Sequence, residues 1–201
     1  MSTTNTAEGP SAATAGERLI SSMQELLWER GYAGTTPAAV QQRAGAGQSS
    51  MYHHFRGKAD LALAAERRLS EELRHEVEQR FTGITTTHDR IEAYLAPDEH
   101  VTRGCRLGRL IQEEEVASND ELRAPIAETY AWIQDRITEI LADGVARGEL
   151  RADLDVQSLA VSLLAIRQGA YTLARLARSA EPFRQASKGV TQLIALAMPD
   201  A

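Results

Sequence analysis

Apolar side chains recur every three or four residues along most of the chain, which is the spacing of one face of an α-helix. The first such stripe consists of Leu19, Ile20, Met23, Leu26 and Leu27. It stops at Gly31, a residue type that commonly ends helices. The pattern predicts an all-α fold with about nine helices of ordinary length. Residues 1–14 lack this period, and we expect them to form a disordered leader.

Proline positions support the division into helices, because proline is tolerated in a first turn but breaks a helix interior. The six prolines lie where the apolar pattern starts or stops, at Pro10, Pro37, Pro97, Pro125, Pro182 and Pro199. We therefore expect each proline to mark a helix boundary.

Two short helices follow the first one and are separated by a glycine-containing turn. Thr36 and Pro37 form a typical helix start, and the helix is expected to end at Ala44. After the turn Gly45-Ala46-Gly47, the next helix covers about 48–54, and a much longer one runs from about Lys58 to Phe81. Two short helices joined in this way predict a helix-turn-helix, whose second helix enters the DNA major groove.

The residues of this segment carry a family resemblance. From Thr35 to Leu61 the chain has a Thr-Thr start, Ala-Gly before the turn, Met-Tyr-His-His-Phe, and then Lys before an apolar run. It thereby resembles the N-terminal DNA-binding domain of the TetR family of bacterial transcription regulators, strongly over about residues 16–63 and more weakly beyond. Gly47 stands where the family often has Ser or Thr as the N-cap, a change that costs only a few tenths of a kcal/mol.

The second short helix carries hydrogen-bonding side chains where a merely solvated helix would carry Glu, Lys and Arg. Such side chains can bond to base edges or to backbone phosphates. We expect DNA contacts from Gln48, Ser49, Ser50, Tyr52, His53 and Lys58, and the resemblance adds Thr36 as a phosphate contact. Met51 and Phe55 are interpreted as core. His54 is interpreted as packed against the neighbouring helix, and Arg43 as either a phosphate contact or merely solvated.

The rest of the chain is expected to form a second domain. We place the boundaries at 15–60 for the helix-turn-helix domain and at 61–201 for a helical ligand-binding and dimerisation domain. A short helix is expected from Asp89, as its N-cap, to Ala96. The segment from Gly104 to Glu113 resembles a Gly-Cys-x-x-Gly-x-x-x-x-Glu stretch at the floor of the ligand cavity in one branch of TetR regulators. Ligand-lining candidates are Cys105, Leu107, Ile111, Tyr130, Trp132, Ile133 and Tyr171.

The last two helices are expected at about 155–178 and 182–198, after a long helix that follows Asn119. Their apolar surface is wider than one stripe, which implies contacts on two sides. The pair resembles the helices through which TetR proteins dimerise as a four-helix bundle. We expect the dimer interface to contain Leu159, Leu163, Ile166, Ala170, Leu173, Val190, Leu193 and Ile194.

Cys105 leaves two interpretations open. Arg103, Arg106 and Arg109 lie near it in sequence, and cations favour the thiolate that reacts with electrophiles. The alternative, which we prefer, is a small buried residue at a helix start.

An enzyme is disfavoured. Glu72-Leu-Arg-His75 matches one Glu-x-x-His motif, but a di-iron bundle requires two such motifs. There is also no zinc-protease motif and no phosphate-binding glycine loop. The expectation is no catalysis, no cofactor and no metal.

Composition narrows the class further. The 201 residues include 22 basic and 28 acidic side chains, a net charge of −6, and a single cysteine. No apolar run is long enough to span a membrane and no secretory signal is evident, so we expect a cytoplasmic protein. The first 60 residues contain five basic and five acidic residues, so the whole negative charge lies in residues 61–201. A neutral DNA-binding domain predicts modest non-specific affinity and a shallow salt dependence.

Together these features predict a ligand-responsive transcription regulator, with a repressor preferred over an activator. Its expected partners are a palindromic double-stranded DNA operator, a small-molecule effector and a second copy of the chain, with no membrane. Two alternatives stay open: a helical small-molecule or lipid carrier that does not bind DNA, and a thiol-based electrophile sensor using Cys105.

Overall fold

A computed structural model describes residues 13–198, which form ten α-helices and one short 3-10 helix, Val101–Arg103, without strands. The α-helices are α1 Ala15–Arg30, α2 Pro37–Ala44, α3 Gln48–His54, α4 Lys58–Phe81, α5 Thr87–Leu95, α6 Arg106–Leu110, α7 Glu114–Ala117, α8 Asp120–Ala146, α9 Val156–Ala177 and α10 Glu181–Ala195. The all-α prediction is confirmed. No helix in this part of the chain is long and apolar enough to cross a membrane. The predicted leader lies outside the described residues except for Ala13 and Thr14.

The helix ends follow from local side-chain chemistry. Thr14 and Glu17 form a reciprocal capping box at the start of α1. The Thr36 hydroxyl accepts a hydrogen bond from the Ala39 amide at the start of α2, and that helix ends at Ala44 as predicted. Gly45 follows in the left-handed conformation. Gly47 is the N-cap of α3 without a side-chain hydrogen bond.

Two sequence predictions about helix boundaries were wrong. The N-cap of α5 is Thr86, whose hydroxyl accepts from the Asp89 amide at 3.2 Å, so Asp89 lies in the first turn. Pro125 lies inside α8 rather than at its boundary. Its carbonyl accepts hydrogen bonds from the hydroxyls of Thr129 at 2.8 Å and Ser70 at 3.3 Å, which attach this turn of α8 to α4.

Two large apolar clusters and a smaller one hold the helices together. The first combines α1 to α4 with α6, α7 and the start of α8, and includes Leu26, Met51, Leu61, Leu107 and Val116. The second joins the end of α4 to α5, α8, α9 and α10, and the third surrounds the 3-10 helix. Helix α4 therefore packs against both α1 and α8 and connects the N-terminal region (α1–α3) to the C-terminal region (α5–α10).

Candidate nucleic-acid interface and ligand cavity

Helix α3 is fixed to the protein by its inner face. Met51 is fully buried in the first apolar cluster, and its sulfur accepts a hydrogen bond from the Gln41 amide group at 3.2 Å. Phe55, at the C-terminal end of α3, is half-buried against the same cluster. The core roles expected for Met51 and Phe55 are thus confirmed, and the rest of α3 is directed away from the core.

The outer face of α3 presents polar side chains to solvent. Gln48, Ser49 and His53 are exposed, Tyr52 is 52% exposed, and Ser50 is half-buried. Within residues 13–198 these side chains form no hydrogen bond or ion pair with the rest of the protein. Their donors and acceptors are therefore free to bind another molecule. His54 is exposed, yet its ring lies 3.6 Å from the position that a Cβ on Gly16 of α1 would occupy, so it contacts the neighbouring helix without being buried.

The candidate DNA-contacting residues on either side of α3 differ in the contacts that their side chains make within the protein. Thr36 is exposed, and its hydroxyl is engaged in capping α2. The Lys58 ammonium lies 4.0 Å from the centre of the Tyr32 ring, a cation–π contact that positions the charge at the N-terminus of α4. Arg43 forms a bidentate ion pair with Glu29 at 2.9 and 2.7 Å, which occupies its guanidinium.

A cavity of about 500 Å³ lies between α1, α4, the segment 98–106 and α9. Apolar side chains of Trp28, Leu69 and Leu73 line one part of it. The remaining lining residues are mostly polar: His75, Glu76, Gln79, Arg80, Asp98, Glu99, His100, Gly104, Cys105, Arg106 and Tyr171. This volume is in the usual range for small-molecule sites, about 300–1,000 Å³.

The predicted lining residues divide into two groups. Cys105 and Tyr171 line the cavity, and the Tyr130 hydroxyl lies 3.4 Å from the Cys105 sulfur. Leu107 and Ile111 instead pack in the first apolar cluster, and Ile133 and Trp132 pack in the second. These four side chains belong to helix faces that stabilise the fold, and they do not line the cavity.

The arginines near Cys105 in sequence do not surround its sulfur. Arg103 and Arg106 lie over the Trp28 ring, with their guanidinium carbons 3.4 and 5.0 Å from its centre, and Arg109 donates to the Trp28 carbonyl. The Cys105 sulfur accepts from the Gly108 amide at 3.4 Å. This arrangement favours the interpretation of Cys105 as a small packed residue.

A polar cluster beside the cavity was missed by the sequence interpretation. The Arg167 guanidinium donates to the Tyr171 hydroxyl at 3.1 Å, which in turn donates to the Asp98 carboxylate at 2.6 Å. Arg80 donates to two backbone carbonyls at the end of α5. The sequence contains one signal for Arg167, which is a charged residue within the apolar pattern of α9. It contains none that would link Arg167 to Asp98 and Arg80, because these residues are distant in the chain.

The cavity wall is directly attached to the N-terminal region. The Trp28 indole donates to the Gly104 carbonyl at 3.0 Å. The Glu113 carboxylate accepts from the backbone amides of Tyr32 and Ala33, both at 2.8 Å, in the connection between α1 and α2. Both contacts bridge the segment around α6 and the end of α1, and so connect the cavity wall to the helix-turn-helix domain.

The predicted dimer residues are partly wrong. Leu163, Ala170, Val190 and Ile194 are at most 5% exposed and pack inside the protomer, so they cannot contact a second subunit. Leu159 and Ile166 are half-buried. The exposed apolar side chains of this region are Val161 47%, Leu173 49%, Leu176 81%, Leu193 64%, Leu196 74% and Met198 43%. Because both helices are apolar over much of their circumference, the sequence pattern could not separate the inner face from the outer one.

The helix-turn-helix presents a polar helix on the surface of the protein, and one long helix leads from it to a helical region that contains a cavity. This arrangement defines a ligand-responsive DNA-binding transcription regulator. Residues 19–65 match the family model "Bacterial regulatory proteins, tetR family", and residues 80–190 match "Tetracyclin repressor-like, C-terminal domain". The chain belongs to the TetR family of transcription regulators.

Individual relatives agree with this assignment. The transcriptional regulator AcuR of Cereibacter sphaeroides is 29% identical over 180 residues, covering 86% of this chain and 82% of AcuR. The HTH-type transcriptional repressor AcnR of Corynebacterium efficiens is 24% identical over 177 residues, covering 84% of this chain and 89% of AcnR. The crystal structure of regulatory protein TetR from Rhodobacter sphaeroides superposes with a TM-score of 0.80 at 27% identity, covering 90% of this chain and 98% of that one.

Proposed function

We propose that the protein is a homodimeric repressor that binds a palindromic DNA operator through α3 and releases it when a small molecule occupies the cavity. The observation that carries the proposal is the outer face of α3, where Gln48, Ser49, Tyr52 and His53 are exposed and unpartnered within the described chain. Side chains of these types recognise base edges and phosphates. The named relative AcnR is itself a repressor, which supports this direction of regulation.

The DNA contacts divide into two roles. We assign base recognition to Gln48, whose amide can pair bidentately with adenine, and further groove contacts to Ser49, Ser50, Tyr52 and His53. We assign phosphate contacts to Lys58, supported by the α4 N-terminus, and to the exposed Thr36. Arg43 is left out of this set because Glu29 neutralises it.

Dimerisation is assigned to the outer face of α9 and α10. Leu173, Leu176, Leu193 and Leu196 expose large apolar side chains there, and a symmetric four-helix contact would bury them. The two-fold axis of such a dimer places two α3 helices on related half-sites, about 34 Å apart or a multiple of that distance.

Release follows from the attachment of the cavity wall to the N-terminal region. An effector that binds more tightly to a dimer with displaced helix-turn-helix units shifts the population toward that form and lowers operator affinity. Trp28 and Glu113 are the contacts through which we expect this displacement to pass. The proposed setting is the bacterial cytoplasm, with double-stranded DNA as the macromolecular partner.

The test is selection of binding sites from a pool of random-sequence duplex DNA by the full-length protein. We expect enrichment of one inverted repeat. The Gln48→Ala variant should lose the sequence preference at one position of each half-site, whereas Glu71→Ala, an exposed change on α4, should select the same repeat. Absence of any enriched sequence with the wild-type protein would exclude operator binding, and the protein would then be a ligand carrier.

A further inference from the structure

Four arginine side chains line an open groove between the end of α1, the segment 102–109 and the end of α9. They are Arg103 and Arg109 on one side and Arg175 and Arg178 on the other. The groove has a volume of about 770 Å³, and Trp28 is the one lining residue that it shares with the cavity described above. Its other polar lining residues are Glu29, Thr102 and Thr172.

The protein holds two of these guanidinium groups in the groove. Arg109 donates a hydrogen bond to the Trp28 carbonyl, and Arg175 Nη1 donates to the Arg103 carbonyl at 3.3 Å. Both side chains also pack against Gly104, where their Cδ atoms lie 3.3 and 3.8 Å from the position that a Cβ would occupy. Arginines of two different helices, α6 and α9, therefore meet at one place.

The acidic side chains nearby do not neutralise the groove. Within residues 13–198, three of the four arginines form no ion pair, and the fourth, Arg103, lies 3.6 Å from Glu25. Glu29 is the one acid in the lining, and its carboxylate is engaged in the bidentate pair with Arg43. The groove therefore carries an excess of positive charge, although residues 61–201 contain 17 basic and 23 acidic residues.

The arginines act on one another electrostatically. Burial lowers the pKa of Arg109, and the charges of Arg175 and Arg103 lower it further, while the Glu113 carboxylate acts in the opposite direction. Arginine nevertheless stays protonated at neutral pH, so the repulsion between these charges persists in the unliganded protein. An anion between them would remove this repulsion.

The dimer helices of a second subunit do not supply such an anion. The groove borders the exposed Leu176, so it lies beside the face that we assign to dimerisation. Helix α9 contains no acidic residue, and α10 contains Glu181 alone, which pairs with Arg184 at 2.9 Å. One carboxylate that is already paired does not balance four arginines.

We propose that this groove binds a small molecule that carries a multiply charged phosphate group. The planar guanidinium group pairs with phosphate oxygens through two parallel hydrogen bonds, and several arginines match the several oxygens of such a group. Bound there, the phosphate bridges the arginines of α6 and α9. The site is separate from the effector cavity and from α3, so it does not depend on the proposed function.

Isothermal titration calorimetry on the full-length protein tests the proposal. The probes are inorganic pyrophosphate, inorganic phosphate and acetate, in magnesium-free buffer of constant ionic strength. We expect pyrophosphate to bind at least about tenfold more tightly than acetate, with phosphate between the two. No binding of pyrophosphate, or equal affinities for pyrophosphate and acetate, would overturn the proposal.

A double variant locates the site. Arg175→Gln combined with Arg178→Gln removes two exposed cations from the groove and should lower pyrophosphate affinity about tenfold or more. Arg67→Gln is the matched control, because Arg67 is an exposed arginine of α4 that forms no ion pair in the described part of the chain and lies outside the groove. Wild-type affinity in the double variant, or an equal loss in Arg67→Gln, would contradict the assignment.

Sedimentation velocity on the same proteins separates a small-molecule site from a subunit contact. If the double variant weakens the dimer and the wild-type protein binds no pyrophosphate, acidic groups of a second subunit occupy the groove and the proposal is wrong. Pyrophosphate binding by a protein that selects no operator would support this site and refute only the proposed function.

Discussion

The N-terminal region carries its unpartnered polar groups on its exterior, whereas the C-terminal region has an unpartnered polar group in its interior. In α1–α3 the interior is apolar and closed, and the polar side chains of α3 face solvent without protein partners. In the C-terminal region the situation is reversed: Arg167 has an unpartnered nitrogen inside, while Leu176 and Leu196 are exposed outside. The exposed groups of each region match a proposed partner, which is DNA for the first region and a second subunit for the other.

The largest effect is expected from the apolar exterior of the C-terminal region. Leu176→Asp should prevent dimerisation, since a charge at the centre of an apolar contact is desolvated without a partner. A monomer engages only one half-site, so operator affinity should fall about a hundredfold or more. Sedimentation velocity and operator titration measure the two effects. Ala142→Asp on the exposed side of α8 is the control, and an unchanged dimer in Leu176→Asp would place the interface elsewhere.

The connection between the two regions is tested by a pair of glycines with positive φ. Gly31 and Gly148 have φ values of +77° and +72°, so alanine is strained at both positions, by about 1 kcal/mol or more. The strain is greater at Gly31, whose ψ of 179° completes a conformation that essentially only glycine adopts. A Cβ at Gly31 would also overlap the Glu113 carboxylate, whereas nothing lies within 4 Å of one at Gly148. Gly31→Ala should therefore cost about 2 kcal/mol more than Gly148→Ala, through the displaced hydrogen bonds to Tyr32 and Ala33 together with its greater backbone strain.

Urea unfolding of both glycine variants gives the stabilities, and operator titration shows whether the contact also matters for DNA binding. Equal losses of stability in the two variants would mean that Glu113 does not hold the α1–α2 connection.

The polar exterior of the N-terminal region predicts a change in affinity without a change in stability. Tyr52→Ala removes an exposed ring, and operator affinity should fall about tenfold, the size of one lost groove contact. The thermal midpoint of unfolding should stay within a few degrees of that of the wild-type protein, because Tyr52 is 52% exposed and lies outside the apolar core. A destabilised variant with unaltered operator affinity would make Tyr52 a structural residue and would break the contrast between the two regions.

The smallest effect concerns the core that α4 shares with both regions. Glu66 is fully buried with both carboxylate oxygens unpartnered among the described residues, and burial raises its pKa from 4.5 to about 8. The folded state then binds one more proton than the unfolded state between these two values. The contribution of Glu66 to the free energy of unfolding is therefore fully present below pH 4.5 and is lost as pH rises toward 8. Between pH 6 and pH 7 the free energy of unfolding should fall by about 1 kcal/mol.

Glu66→Gln cannot ionise and should remove this slope. Urea unfolding at pH 6 and pH 7 measures it for both proteins. The same pH dependence in the variant and in the wild-type protein would show that Glu66 is not the group responsible.

The same contrast explains what the sequence could predict. The N-terminal region depends on local signals, such as Thr36 with Pro37 at a helix start and Gly45 at a helix end, and its three helices were predicted almost to the residue. The cavity depends on groups far apart in the chain, since Asp98, Tyr171 and Arg80 meet only through packing. The prediction of the dimer interface was partly wrong for a different reason. Helix α9 is apolar on two sides, and the spacing of its apolar residues does not indicate which side faces inward.

The central claim is that two α3 helices of one dimer read an inverted repeat. Hydroxyl-radical footprinting of the full-length protein on the selected duplex tests it most directly. We predict two protected segments related by inversion, with centres about 34 Å apart along the helix axis or a multiple of that distance. A single protected segment, or protection unchanged when α3 carries Gln48→Ala together with Tyr52→Ala, would contradict the account.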